Sequence, residues 1–213
     1  MIDSPVVLPG TIYDEVRARL IDQLDAPGST ITESAVALRF GVARTTAKAA
    51  IERLVTDGLL RREPHHAARV PELSRHDILD LYDNRTLIEC AAISALCSGG
   101  TIPAEALQAH RALHASATDF AAHDIAFHRA LVEGQPSPRL TRMHALLMGE
   151  IELCIGQVQA GRLLSAVDVA AQHQGILDAI TAGDAPLAEL RTRQHIHGAR
   201  DVLLAKWDRE YPA

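Results

Sequence analysis

The stretch that decides the fold of the first third of the chain is PGSTITESAVALRFGVARTTAKAAIERLVTDGLLRREPHHAARV, residues 27–70. Thr32 is a good N-cap for a short helix, and Gly41 supplies the left-handed conformation that a sharp turn requires. A second helix is expected to begin near Ala43 and to end at Gly58. Two short helices joined at a glycine are the layout of a helix-turn-helix, whose second helix enters the major groove of DNA.

The segments on either side complete this unit. Before it, apolar residues at helical spacing predict a first helix, namely Ile12, Val16, Leu20 and Ile21. After it, residues 59–62 and 68–70 suit two short strands with a polar tip between them, which together make a wing. We therefore expect a winged helix-turn-helix domain over residues 1–72, with Leu73-Ser74 as the hinge to the rest of the chain.

The charge of the chain is uneven. Its formal net charge is −6, which argues against a protein that binds nucleic acid over its whole surface. Residues 39–69, in contrast, hold seven basic and three acidic side chains, a net charge of +4. Phosphate binding responds to local charge, so this segment is a candidate DNA-binding surface. The alternative is a basic helix face that is simply solvated.

Residues 27–70 resemble the winged helix-turn-helix of the GntR family of bacterial transcription regulators. The resemblance rests on four features: Pro27-Gly28, Gly41-Val42 at the turn, Arg44-Thr45 opening the recognition helix, and Asp57-Gly58-Leu59 before the wing. It implies DNA contacts from the start of the recognition helix and from the wing tip, namely Arg44, Thr45, Thr46, Lys48, His65 and His66. Three residues depart from the family pattern: Ala43 replaces a serine or threonine, Lys48 an arginine and Ala67 the wing glycine.

The remaining residues, 73–213, are expected to be helical throughout. The chain is 47% hydrophobic but only 3% aromatic, so aliphatic side chains must build its core, which favours packed helices over a β-sandwich. Helix caps recur along the segment, at Ser74, Thr118, Ser137 and Asp184. The fold class that we expect is mainly α: an N-terminal winged helix-turn-helix with a small β-hairpin wing, then an antiparallel bundle of about six helices.

Composition also bears on the compartment. No apolar run approaches the ~18 residues of a membrane span, and the first residues lack the basic region of a signal peptide. The three cysteines, Cys90, Cys97 and Cys154, show no CxxC spacing, and an odd number cannot all pair within one chain. We expect a cytoplasmic protein with reduced core cysteines and no membrane partner.

Eleven histidines in 213 residues are many, and nine of them lie beyond residue 71. Asp124 and His128 are four residues apart on one predicted helix, so both point the same way. His173 and His195 lie on two later helices. A bundle that brings these four together would offer a ligand set for zinc, nickel or manganese, among which the ligand types do not decide. The alternative is a set of ordinary surface or hydrogen-bonded histidines.

Residues 74–208 resemble the FCD domain, the effector-binding domain of the FadR subfamily of GntR regulators. DIAFHRAL, residues 124–131, matches its DxxFHxxL signature, and the segment from His173 to His195 matches its second signature at the same spacing. In metal-binding members these motifs supply four ligands, which fall here on Asp124, His128, His173 and His195. The same correspondence leaves five other histidines of the domain as surface or structural residues: His110, His114, His123, His144 and His197.

Residues 81–89 resemble the first helix of that domain, in which an arginine at the position of Arg85 faces the effector pocket. A guanidinium beside a metal is suited to holding a small carboxylate. The alternative is that Arg85 forms a surface salt bridge with Glu89, one helical turn away. Arg162 is a second candidate for the same pocket.

The function that these observations predict is transcription regulation by a homodimer, because one recognition helix reads only a few base pairs and a palindromic operator requires two. A small anionic metabolite, of the carboxylate class, would control operator affinity, most commonly by relieving repression. One alternative is a regulator that senses the metal itself. Another is a metal-dependent enzyme, against which the sequence offers no HExxH, no GxSxG and no phosphate-binding glycine loop.

Overall fold

The computed structural model of the chain describes residues 9–116 and 120–212. Contacts between residues divide the chain into two compact units, Met1–Glu72 and Leu73–Ala213. Helices make up most of the regular structure in both units, and the fold class agrees with the sequence prediction.

The first unit contains three helices and two short strands: α1 (Pro9–Ile21), β1 (Thr30–Ile31), α2 (Glu33–Phe40), α3 (Arg44–Thr56) and β2 (Ala68–Arg69). The predicted apolar positions of α1 are buried, and α1 packs against α3, whose inward residues Ile51 and Leu54 are fully buried. The Thr32 side chain accepts a hydrogen bond from the backbone N–H of Ala35, which confirms the predicted N-cap of α2. Gly41 has the predicted left-handed backbone, with φ of 64°.

The wing differs from the predicted hairpin. Arg61 and Arg69 exchange two backbone hydrogen bonds of 2.8 Å, and within the described part of the chain this single bridge is the only pairing between the two predicted strands. The two-stranded sheet is instead made by β1 and β2, which pair antiparallel with Thr30 opposite Arg69. Strand β1 lies before α2 in the sequence. It has only two residues, which are too few for an alternation of polar and apolar side chains to predict a strand.

One residue of the wing has a left-handed backbone. It is His65, with a φ of 66°, and Ala67, which stands where the family pattern has a glycine, does not have a positive φ. Histidine is one of the side chains that tolerate this region better than most. The wing tip therefore turns at His65.

The second unit is a bundle of six helices in the described residues, as predicted: α4 (Arg75–Gly99), α5 (Ala104–Ala115), α6 (Ala121–Glu133), α7 (Pro138–Ala160), α8 (Ala166–Thr181) and α9 (Ala185–Glu210). Ser74 and Asp77 form a capping box at the start of α4, and Ser137 and Asp184 cap α7 and α9. Thr118, the fourth expected cap, lies outside the described residues. The backbone N–H groups of Phe120 and Ala121 instead donate to the Gln159 side chain.

Aliphatic side chains fill the core of the bundle, as the composition predicts. One buried cluster joins α4, α5, α6, α8 and α9, and its larger members are Ile93, Leu96, Phe127, Leu131, Ile176, Leu177 and Ile180. Long helix pairs such as α4 with α9 and α8 with α9 pack side by side. Among the described residues no single helix is long and apolar enough to cross a membrane; α4 and α5 pass that test only as a pair bent by 113°.

The three cysteines are buried and free, as predicted. Burial raises the pKa of Cys154 to about 12 and also raises the pKa values of Cys90 and Cys97. Because the thiolate is the reactive form, we expect a thiol reagent at neutral pH to label the native protein slowly and to label three thiols after unfolding in denaturant. A count below three in the unfolded, unreduced protein would contradict the absence of disulfides.

Candidate functional site

Four side chains from three helices of the bundle converge at one buried point. Asp124 and His128 lie one turn apart on α6 and point inward together, while His173 comes from α8 and His195 from α9. All four residues are only 0–4% exposed. One ligand atom from each lies within 4.8 Å of the ligand atoms of the others. The structure therefore brings together the four residues that the sequence singled out.

The spacing of these atoms matches that of ligands around a small metal ion. The Oδ1 atom of Asp124 lies 3.1 Å from Nε2 of His173, 3.4 Å from Nε2 of His195 and 3.7 Å from Nε2 of His128. Ligand atoms held tetrahedrally at bond lengths of about 2.0–2.1 Å are roughly 3.4 Å apart. The set consists of one oxygen and three nitrogens, which suits a borderline divalent ion.

The hydrogen bonds of the rings provide an independent test of this fit. The Nδ1–H of His128 donates to a carboxylate oxygen of Glu89 at 2.5 Å, and the Nδ1–H of His195 donates to Oε1 of Gln172 at 2.7 Å. A neutral imidazole that is protonated at Nδ1 carries a lone pair at Nε2. The two Nε2 atoms are nevertheless 2.9 Å apart. Two facing lone pairs repel each other, whereas a cation bound to both removes the conflict, so these residues fit a metal ion.

The electrostatics of the cluster agree with this fit. Burial lowers the pKa of His173 to about 3 and also lowers the pKa of His128. Burial alone would raise the pKa of Asp124, but the neighbouring imidazoles of His128, His173 and His195 outweigh it and hold that pKa well below its usual range. Neutral imidazoles beside an ionised carboxylate are the protonation states that metal binding requires.

Packing fixes the orientation of the rings. The Phe127 ring, on α6, stacks on the His173 ring with centroids 3.8 Å apart and planes 12° from parallel. Side chains held by packing and by outer hydrogen bonds keep their ligand atoms aimed at one point. A surface pocket between α8 and α9 reaches His195 and is lined by Ala171, Gln172, Gly175, Arg191 and Gln194.

Arg85 does form the predicted pair with Glu89, but the pair is not on the surface. Its Nε donates to Oε1 of Glu89 at 2.7 Å, and the two side chains are 1% and 3% exposed. The Nη2 atom of Arg85 and the Oη atom of Tyr82 are buried, and neither has a hydrogen-bond partner in the described structure. Unpartnered buried donors are costly, so each of these two groups has an unmet need for a hydrogen-bond partner.

The sequence suggested Glu89 only as the partner in a surface salt bridge and His144 only as a surface or structural residue, and it did not predict that the two meet in the core. The carboxylate of Glu89 accepts from Arg85 and His128 and, at 3.2 Å, from Nε2 of His144. Burial raises the pKa of Glu89, but Arg85 and His128 lower it more, so that it lies well below its usual value. The i,i+4 spacing of Arg85 and Glu89 indicated that these two side chains are in contact. Nothing in the sequence indicated that the pair is buried.

Two other candidates lie outside this cluster. Arg162 is exposed in the turn after α7, where its backbone has a φ of 50°. His110 is buried and its Nε2 pairs with Gln174, which agrees with the structural role expected of it.

The predicted DNA-contacting residues lie on one exposed part of the first unit. Arg44 opens α3 with its side chain 71% exposed, and Thr45 and Lys48 are exposed on the same helix, with Thr46 half-buried. The exposed wing-tip residues His65 and His66 line the same surface depression as Arg44. Ala43 provides no side-chain cap, which leaves the N-terminus of α3 open to an anion such as a phosphate.

An acidic side chain sits among these basic groups. The carboxylate of Glu33 lies 3.7 Å from the Arg44 guanidinium and 3.8 Å from that of Arg62. Arg62 also pairs with Glu52 at 2.5 Å. Glu33 therefore neutralises part of the positive charge at the exposed start of α3.

Replacing Glu33 by glutamine is expected to strengthen DNA binding. Exposed ion pairs are worth up to ~1 kcal/mol, so the gain is at most about fivefold. Anisotropy titrations should show the gain at low salt and its disappearance at high salt, because the effect is electrostatic. The matched control is Glu15→Gln, an equal charge change at an exposed position of α1. An equal gain from both variants would show that net charge, rather than Arg44, is responsible.

Each of the two units matches a known protein family. The family model for bacterial regulatory proteins of the gntR family matches residues 8–70, and the FCD domain model matches residues 80–198. A protein of Paenarthrobacter nicotinovorans assigned as a D-xylose utilization operon transcriptional repressor is 27% identical over 175 residues, which cover 79% of this chain and 76% of that protein. The Escherichia coli repressor RspR is 31% identical over 80 residues, 38% of this chain and 35% of RspR.

Solved structures show the same architecture. A GntR transcriptional regulator from Rhodococcus sp. RHA1 superposes with a TM-score of 0.75 at 25% identity, covering 92% of this chain and 97% of its own. Escherichia coli McbR/YncC has the same fold, with a TM-score of 0.75 at 17% identity, covering 95% and 99% of the two chains. The matching families are families of transcription regulators and not of enzymes. The chain belongs to the GntR family of DNA-binding transcription regulators, as a member that carries an FCD effector domain.

Proposed function

We propose that this chain is a metal-containing regulator whose affinity for its operator is controlled by a small carboxylate bound beside the metal. In this proposal residues 1–72 bind DNA, and residues 73–213 bind metal and effector and form the dimer. The observation that carries it is the 2.9 Å approach of the Nε2 atoms of His128 and His195 while both rings donate through Nδ1. Asp124 and His173 complete the ligand set.

The metal would be zinc, nickel or manganese, all of which accept imidazole and carboxylate ligands. When bound, the ion supplies a positive charge that attracts an anionic ligand. The four protein ligands are buried, which favours a resident ion over one that exchanges as a signal.

The chemical class of the effector is inferred from two buried hydrogen-bond donors that have no partner. Arg85 Nη2 is buried without a partner, and so is the hydroxyl of Tyr82. Carboxylate oxygens accept strong, charge-assisted hydrogen bonds from a guanidinium. We therefore assign Arg85 to the effector rather than to a purely structural ion pair, and we expect a small anion, most simply a carboxylate.

The DNA partner is a palindromic duplex bound by a homodimer, since each recognition helix reads one half-site. The base and phosphate contacts are assigned to Arg44, Thr45, Thr46, Lys48, His65 and His66. Two relatives are repressors by name, which supports repression that the effector relieves. Such a protein acts in the cytoplasm, where the bacterial chromosome lies.

The experiment is an anisotropy titration of duplex DNA from upstream of the chain's own gene, with protein that is metal-loaded or chelated, with and without a panel of small carboxylates. We expect the metal-loaded protein to bind one duplex selectively and one of the carboxylates to weaken that binding. In Arg85→Gln the carboxylate should no longer weaken DNA binding. If removing the metal and adding it back switches DNA binding with no organic ligand present, the metal itself is the signal. The protein is then a metal-sensing regulator. Absence of any metal or carboxylate effect would refute both.

A further inference from the structure

Glu89 on α4 is the point at which three helices of the bundle are joined by buried polar contacts. Its Oε1 accepts from Arg85 of the same helix and from His144 of α7, and its Oε2 accepts from His128 of α6. Each of these side chains is 1–3% exposed. A carboxylate with three donors in a dry environment is held in one position and contributes strongly to the electrostatics around it.

The contact with His128 has a direct consequence for metal binding. Because Glu89 takes the Nδ1–H of His128, the proton cannot move to Nε2, and the ring presents its lone pair at the converging point. The three imidazoles differ in this respect. His195 donates to the neutral amide of Gln172, and Nδ1 of His173 has no partner. His128 is thus the imidazole whose outer partner is charged.

A charged acceptor makes an imidazole a stronger electron-pair donor than a neutral acceptor does. The Arg85 guanidinium opposes this effect, since its ion pair with Glu89 draws negative charge away from the oxygen atoms that His128 faces. Arg85 also keeps one buried donor, Nη2, without a partner. An anion that engages Arg85 would compete with Glu89 for its positive charge.

We propose that Glu89 is a positioning residue that sets the donor strength of His128 and that Arg85 moderates it, so that an anion on Arg85 tightens metal binding. The inference rests on the metal site proposed above. Linkage makes the coupling reciprocal: if the anion strengthens metal binding, the metal strengthens anion binding by the same factor. This provides a physical connection between the effector residue and the metal through a single carboxylate.

The test measures Ni²⁺ affinity of the full-length protein by competition with a chromophoric chelator at mildly alkaline pH. Glu89→Gln is expected to weaken binding by ~10–100-fold, the usual effect of losing an outer partner of a metal-ligating histidine. Arg85→Gln should change the affinity in the opposite direction, because it removes the group that withdraws charge from Glu89. A merely structural role of the pair predicts the same direction for both variants.

Two further variants separate positioning from folding. Glu89→Gln leaves the Arg85 charge unpaired, so the double variant Arg85→Gln/Glu89→Gln, which keeps a neutral pair, must also show weakened Ni²⁺ binding. The matched control is Glu152→Gln, which removes a buried carboxylate that pairs with Arg129 on the same bundle and should leave Ni²⁺ affinity unchanged. The visible absorption spectrum of the Co²⁺-loaded protein should change in Glu89→Gln and stay as in the parent in Glu152→Gln.

The possible failures are distinguishable. A parent protein that binds no Ni²⁺, Zn²⁺ or Mn²⁺ overturns the metal site and this inference with it. A parent that binds Ni²⁺ tightly, with Glu89→Gln and the double variant binding equally well, overturns only the role of Glu89. A lowered affinity in Arg85→Gln overturns the moderating role of Arg85.

Discussion

Chelation is expected to lower the melting temperature of the parent protein by about 8–16 °C and to leave that of His173→Ala nearly unchanged. A ligand present at ~1,000 times its Kd adds about 4 kcal/mol to stability when it binds only the native state. For a chain of this size each kcal/mol corresponds to roughly 2–4 °C. His173 is fully buried and its Nε2 lies 3.1 Å from Oδ1 of Asp124, so its loss removes one of four converging ligand atoms.

The comparison uses the difference between metal-loaded and chelated samples, because His173→Ala also leaves a cavity beside Phe127 that destabilises the protein in either state. His76→Ala, a change at an exposed histidine of α4, is the matched control and should melt like the parent with and without chelator. Equal chelator effects in the parent and in His173→Ala would remove His173 from the ligand set.

Arg44→Ala is expected to weaken operator binding by ~1–3 kcal/mol per half-site, which is roughly 5–150-fold in affinity. The side chain is 71% exposed at the first position of α3, where it can reach base edges, and its Glu33 contact is a long, exposed pair. Thermal stability should change by less than ~0.5 kcal/mol, as is usual for surface substitutions. Anisotropy titrations with the operator and with a scrambled duplex provide the measurement.

The charge-matched control is Arg39→Ala, at an exposed position in the last turn of α2. A base-reading role requires that Arg44→Ala lowers the operator affinity more than the affinity for the scrambled duplex. Equal losses on both duplexes would assign Arg44 to a phosphate, and equal losses for Arg44→Ala and Arg39→Ala would reduce the effect to net charge.

Local sequence signals predicted the helices and their ends well. The caps at Thr32 and Ser74 and the turn at Gly41 depend on residues within a few positions of the backbone groups concerned. The i,i+4 spacing of Asp124 and His128 is likewise local. That the histidines of α8 and α9 meet this pair came from the family resemblance, since spacing along the chain carries no information on how helices pack.

What the sequence did not reveal depends on contacts between distant residues. Strand β1 exists because Thr30 pairs with Arg69, a partner 39 residues away. The left-handed turn at His65 is imposed by the wing, and the residue type only tolerates it. The Arg85–Glu89 pair has the spacing of an ordinary surface salt bridge, but it is buried in the bundle, where His128 of α6 and His144 of α7 contact Glu89.

The four candidate ligands come from three helices, and an ion bound to them would have a kinetic consequence. Asp124 and His195 are separated by 71 residues, so an ion held by both acts as a reversible cross-link that closes a long loop of the chain. In the metal-bound protein α6, α8 and α9 would therefore open together rather than singly. With the ion bound, we expect the amide hydrogens of the three helices to exchange with solvent at one common, slow rate. After removal of the ion, each helix should exchange at a rate of its own.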